Sequence, residues 1–149
     1  MANNEIIKSV KALSELRILL TQDDTGREEY LYSQLAFGDV WWIPDTITGF
    51  SIEKIRHPWV IVNGYSSHMA SVIVSPRTTS YRPKNVKRGI LTPANILPGL
   101  GKEGLLLLHH RRTFSTTIFR DLEYIGRFPE SWRKKIRDFY QALAEGKIK

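Results

Sequence analysis

Apolar and polar positions along the 149-residue chain change rhythm twice. In residues 4–21, Ile6, Val10, Leu13, Ile18 and Leu20 fall close to one stripe, with Lys8, Glu15 and Arg17 outside it, which predicts an amphipathic helix. "TQDDTG" interrupts the pattern, and Thr25 suits the cap of a second short helix over "REEYLYSQL". From residue 39 the helical spacing gives way to short runs of β-branched and aromatic residues bounded by Gly, Pro, Ser or Asn. "DVWWIP" (39–44), "WVIVNGY" (59–65), "ASVIVSP" (70–76), "RGILTP" (88–93), "LLLLHH" (105–110) and "DLEYIGRF" (121–128) each predict a strand. Within "IVSPRTTS" (73–80) the strand is expected to stop at Pro76, where hydroxyl residues begin. Helical spacing returns after Pro129, with Trp132, Ile136, Phe139, Tyr140 and Leu143 on one apolar face. Together these elements predict an α+β fold: a small, mostly antiparallel β-barrel with helices at both chain ends.

Composition adds a class and a partner. With 42% hydrophobic and 25% charged residues the chain reads as one soluble globular protein. No apolar run approaches the roughly 20 residues of a membrane span. The N-terminus mixes charges into its apolar residues, unlike a signal peptide, so a cytoplasmic location is expected. Absence of cysteine excludes disulfides, thiolate metal sites and a thiol nucleophile. The net charge of +7 is uneven. Residues 1–53 hold four Lys/Arg against nine Asp/Glu (−5), residues 54–137 sixteen against four (+12), and the last twelve residues two against two. A basic segment of this kind suits a polyanion such as nucleic acid, although a solvated basic surface has the same composition.

The order of "FGDVWWIP", "RHPWVIV", "VSPRTTS", "LLLLHHRRTF" and "IGRFPESWRKKI" resembles the MazF/PemK toxins, endoribonucleases of type II toxin–antitoxin modules, over about residues 37–143. The resemblance implies an SH3-like barrel akin to that of the gyrase-poisoning CcdB toxins, a homodimer, a cognate antitoxin, single-stranded mRNA as substrate, and no cofactor or metal. It divides the chain into a helical extension over 1–36 and a barrel domain with its C-terminal helix over 37–149. The acidic extension has no counterpart in the family. It is expected to pack on the barrel, with occlusion of an RNA groove or antitoxin docking as alternatives.

Metal-independent RNA cleavage uses the 2′-hydroxyl as nucleophile on the adjacent phosphate. It needs a base for the hydroxyl proton, donors for the phosphate oxygens and an acid for the leaving oxygen. By resemblance, an arginine beside the proline that opens the second strand, and a Thr or Ser after the Pro-x of the next, carry the site. Those positions are Arg56-His57-Pro58 and Pro76-Arg77-Thr78. The family has arginine directly before the proline; here His57 stands there. Two readings follow: Arg56 fills the role after a one-residue shift, or His57 acts as the acid or base, imidazole being suited to proton transfer near neutral pH. Arg77, Thr79, His110, Arg112 and Glu53 are the candidate RNA- and phosphate-binding residues. Each also has a plainer reading: Thr78, Thr79 and Ser80 bonding their own backbone in a turn, "HHRR" as a strand end reaching solvent. A non-catalytic toxin or binding module on the same barrel is the alternative function.

Overall fold

The computed structural model describes residues 31–51, 55–63 and 70–147. The helix expected over 4–21, most of the one expected over 27–35, and Glu53 lie outside the described residues. Residues 35–149 form one compact unit.

Within it, β1 (Asp39–Pro44) runs into a single helical turn, α1 (Asp45–Thr48), followed by β2 (Arg56–Asn63) and β3 (Ser71–Thr78). A 3-10 segment over Pro83–Arg88 leads to β4 (Ile90–Thr92), β5 (Gly104–Leu106) and β6 (Arg112–Ser115). A second 3-10 segment (Thr116–Asp121), β7 (Glu123–Arg127) and helix α2 (Glu130–Ala144) complete the chain. The strands form one antiparallel sheet in the order β4-β5-β3-β2-β1-β7, with β6 also paired to β3. Register shifts between Val40 and Trp41 and between Ile61 and Asn63 strengthen the local twist that curls such a sheet.

Several strand boundaries differ from the sequence expectation, β2 starting at Arg56 and β4 spanning Ile90–Thr92 among them, and two differ for identifiable reasons. β3 does not stop at Pro76 but continues to Thr78. One edge of β3 is shared, β6 lying beside Ser71–Val74 and β5 beside Arg77–Thr78. Pro76 sits in the gap between these neighbours, where its missing N–H costs no ladder bond, and its carbonyl accepts from the Leu107 N–H at 2.8 Å. "LLLLHH" is strand only to Leu106; the His110 N–H then closes a turn on the Leu107 carbonyl. The chain re-enters the sheet as β6, which the sequence reading did not separate from the preceding run.

Alternation along β1 and β2 sends successive side chains to opposite faces. Val40, Val60 and Val62 face a core completed by Leu97, Leu100, Leu106, Leu108, Phe128 and Ile136. The α2 residues Trp132, Phe139, Tyr140 and Leu143 pack against it, the face expected from their spacing. Trp41, Ile43, Trp59 and Ile61 are buried on the other side. Because both faces are covered, "WVIV" is apolar throughout rather than alternating.

The Gly38-Asp39 pair anchors the first strand. Gly38 has φ +91°, and a Cβ there would collide with the Arg133 side chain. Asp39 is fully buried, and its carboxylate accepts from Tyr124 Oη (2.6 Å), Arg127 Nε and Nη2 (2.9 and 3.0 Å) and the Ala36 N–H (2.8 Å). This motif therefore ties β1 to β7. Among the described residues no helix is long and apolar enough to cross a membrane.

Candidate functional site

β2 opens with Arg56 and His57, which point to opposite faces of the sheet. Arg56 goes to the side of Trp42: its guanidinium lies 4.3 Å from the centre of that ring, and its Nη1 donates to Glu123 Oε1 at 2.9 Å. The pairings Pro44↔Arg56, Trp42↔Pro58 and Trp42↔Glu123 bring these groups together. Trp41, adjacent in sequence, points the other way and packs on Phe119 and Tyr124, each at 5.1 Å between ring centres.

His57 is buried on the opposite face, beside Trp59 and against Phe50, whose ring centre is 4.8 Å away. Its Nδ1 lies 2.8 Å from Asp45 Oδ1. A carboxylate accepts and does not donate, so Nδ1 carries the proton and Nε2 presents a lone pair when the ring is neutral. Asp45 reaches this position because Pro44 ends β1 and the chain turns at once into α1. The other carboxylate oxygen, Asp45 Oδ2, and the indole Nε1 of Trp59 are buried with no hydrogen-bond partner among the described residues. Such groups cost about 1–3 kcal/mol each.

Thr78 ends β3 on the same face. β2 and β3 pair Trp59 with Pro76, and the same antiparallel register carried two residues further, 59 to 57 and 76 to 78, sets His57 level with Thr78. The Thr78 hydroxyl donates to the Ser80 carbonyl at 3.1 Å and accepts from the Ser80 N–H at 3.0 Å, a local turn that uses both of its capacities. Thr79 is exposed just beyond.

Arg77 occupies a different place from the one a phosphate clamp needs. It is 2% exposed and points to the other face of β3. Its Nε donates to Thr92 Oγ1 at 2.6 Å, and its Nη2 to the carbonyls of Lys102 at 2.7 Å and Pro93 at 3.4 Å. Burial lowers its pKa, and nearby Tyr81 opposes that shift. Gly104 makes room for the guanidinium: a Cβ there would lie 2.6 Å from Arg77 Cζ.

His110, exposed in the turn after β5, edges onto Phe50 from another side at 5.8 Å, and its ring centre lies 4.4 Å from that of His109, the two rings tilted by 43°. Partial burial of its ring, with the nearby His109 and Arg112, holds it below the ordinary histidine value. His57 and His110 thus flank Phe50. Arg112, close enough to act on His110, is set away from Thr78: it pairs with Val74, four residues and about 13 Å along β3, and donates to the Arg111 carbonyl. Asp45 and Phe50 were not singled out from sequence. The signal for Asp45 was a carboxylate directly after the strand-ending Pro44, opposite which β2 had to begin. Among the described residues no three His, Asp or Glu side chains gather closely enough to hold a metal ion.

No protein-family model and no curated protein matches the sequence. Solved structures do match. MazF from Deinococcus radiodurans is 20% identical, with TM-score 0.53, over 74% of this chain and 96% of that one. A MazE–MazF structure from the same organism is 17% identical with the same TM-score, over 74% and 95%. An endoribonuclease in complex with its cognate antitoxin from a mycobacterial species is 18% identical, TM-score 0.51, over 74% and 94%. The chain has a MazF-like toxin fold.

Proposed function

We propose that this protein is a toxin-type, metal-independent endoribonuclease that cleaves single-stranded RNA, acts in the cytoplasm as a homodimer, and is held in check by a cognate antitoxin. The observation that carries this reading is the Asp45–His57 pair at the start of β2, on a fold shared with endoribonuclease toxins. Asp45 fixes the ring so that Nε2 is the proton acceptor. That nitrogen takes the 2′-hydroxyl proton, the oxygen attacks the adjacent phosphorus, and the P–O5′ bond breaks. The products are a 2′,3′-cyclic phosphate and a 5′-hydroxyl, the leaving oxygen taking its proton from solvent. DNA lacks the nucleophile and is bound without being cut. Thr78 serves as a donor to the phosphate when its hydroxyl leaves the Ser80 carbonyl. His57 therefore takes the chemical role, and Arg56, on the other face, takes none in the proton transfer.

A second reading, a non-catalytic toxin or nucleic-acid-binding module, is favoured by one observation. The two arginines nearest the site in sequence are both occupied, Arg56 by Glu123 and Arg77 by Thr92 and Lys102. Incubation of purified protein with RNA in excess EDTA separates the two. Cyclic-phosphate ends that disappear in His57→Ala support the nuclease; intact RNA supports the binding module, and cleavage equal in His57→Ala removes His57 from the chemistry.

A further inference from the structure

Between the end of β3 and the start of β5 the chain is strongly and asymmetrically charged. Residues 77–103 contain six cations, Arg77, Arg82, Lys84, Lys87, Arg88 and Lys102, and one acid, Glu103. Glu103 is engaged by the Tyr81 hydroxyl at 3.1 Å. Arg82, Lys84, Lys87, Arg88 and Lys102 are all exposed, and none has an ion-pair partner among the described residues. Helix α2 is basic too, but three of its four cations lie beside an acid: Arg133 and Arg137 share Glu130, and Lys134 faces Asp138, while Lys135 lies over the Trp132 ring. Among the described residues, residues 82–88 form the densest run of cations with no acid partner; Arg111, Arg112 and Lys135 are also without one but lie elsewhere.

That segment also has a defined shape. Pro83–Arg88 is a 3-10 helix, in which residues three apart lie one above the other at about 2 Å rise per residue. Lys84 and Lys87 form one row, roughly 6 Å apart, and Arg82 and Arg88 another, with Asn85 between. The segment is held at both ends, by Tyr81–Glu103 where it leaves β3 and by the pairing of Ile90 with Leu106 where it enters β4. It starts three residues after Thr78. The buried guanidinium of Arg77, whose bonds all go to neutral oxygens, adds a cation near Tyr81 at the start of the segment, in a medium that screens charge poorly.

We propose that residues 81–89 form an electrostatic track for the sugar–phosphate backbone of single-stranded RNA, carrying the strand away from the His57–Thr78 end of the sheet. This rests on the nuclease reading only for the identity of the strand. The track acts through phosphate charge, so it reads no base sequence and gives binding a steep salt dependence. Lys84 and Lys87 on one row and Arg82 and Arg88 on the other each neutralise one phosphate.

The test is binding of full-length protein to a fluorescent RNA whose sugars are all 2′-O-methyl, which removes the nucleophile and isolates binding from cleavage. Anisotropy across a salt series gives the slope of log Kobs against log[salt]. Lys84→Gln/Lys87→Gln is expected to make that slope shallower by about 1.4, at about 0.7 per phosphate contact, and to weaken binding on the order of tenfold at 0.1 M salt. Its melting temperature should match the wild type, the substituted side chains being exposed. Lys134→Gln/Lys135→Gln on α2 should leave the slope unchanged. Equal slopes for wild type and the track variant overturn the proposal, as does an equal loss in the α2 variant. Track-independent RNA binding combined with track-dependent binding of polyglutamate also overturns it, in favour of an acidic protein partner. A track-dependent slope in a protein that cuts no natural RNA upholds the track and refutes the nuclease instead.

Discussion

The Nδ1 of His57 lies 2.8 Å from Oδ1 of Asp45, twelve residues earlier in the chain, and both side chains are buried. A histidine on a strand and an acid at the first turn of a four-residue helix meet because Pro44 turns the chain back beside the start of β2. His57→Ala is expected to lower the rate of RNA cleavage by 10²- to 10⁴-fold, the usual contribution of a positioned acid–base group. Asp45→Asn leaves a side chain of the same size but can donate to Nδ1, favouring the tautomer with the proton on Nε2. It should lower kcat while leaving the affinity for 2′-O-methyl RNA unchanged. Wild-type kcat in Asp45→Asn would remove Asp45 from the mechanism.

Arg77 is held by the floor of the β4–β5 hairpin, so its loss should be read in stability. Arg77→Met leaves Thr92 Oγ1 and the Lys102 carbonyl without their donor, a loss of about 1–3 kcal/mol in urea unfolding. Arg77→Lys should recover little, because an ammonium cannot reproduce the fork that spans Thr92 and Lys102. Full stability in either variant would contradict the assignment.

Asp39 gives the corresponding prediction for the first strand. Asp39→Ala leaves the Tyr124 hydroxyl, the Ala36 N–H and Arg127 without their acceptor and should cost about 3 kcal/mol by chemical denaturation. The bond to Asp39 raises the pKa of Arg127. Its stabilisation is therefore fully present below the unfolded arginine value and is lost only as pH rises through the higher folded one. The loss measured for Asp39→Ala should accordingly be the same at pH 7 and pH 9.

His110 titrates below the ordinary histidine value. Through that range the unfolded chain binds its proton more readily than the folded one. The group's contribution to stability is thus present above the unfolded value and is lost as pH falls toward the folded one. The His110 ring protons, followed by NMR, should show a lower midpoint in native protein than in urea. Arg112→Gln should move that midpoint upward by removing a neighbouring charge; an unchanged midpoint would show that Arg112 does not act on it.

Much of the fold was legible because periodicity and packing agreed. "DVWWIP" became β1 with the expected bounds, and the stripe from Trp132 to Leu143 became the packed face of α2. Pro76 misled because its effect depends on which edge of the strand needs a donor, and β3 changes neighbours just there. The proposed preference for His57 over Arg56 could not be read from residue types. It turns on strand parity relative to Asp45 and Phe50, neither of which lies beside them in sequence. Arg77 looked like a ligand-binding cation because a string of letters does not show that Gly104 opens a berth for it inside the protein.

The hairpin of β4 and β5 joins the rest of the sheet through a short ladder, Arg77↔Leu106 and Thr78↔Leu105 followed by the Leu107 N–H on the Pro76 carbonyl, with the Arg77 side chain bonded across it. Such a unit can open while β1, β2 and the upper part of β3 stay shut. Amide protons of Leu91 and Leu105 should then exchange with solvent through this partial opening, and that of Val60 only when the whole domain unfolds. The basic segment spans the joint between the two parts, so an opening there would carry its cations along with the hairpin.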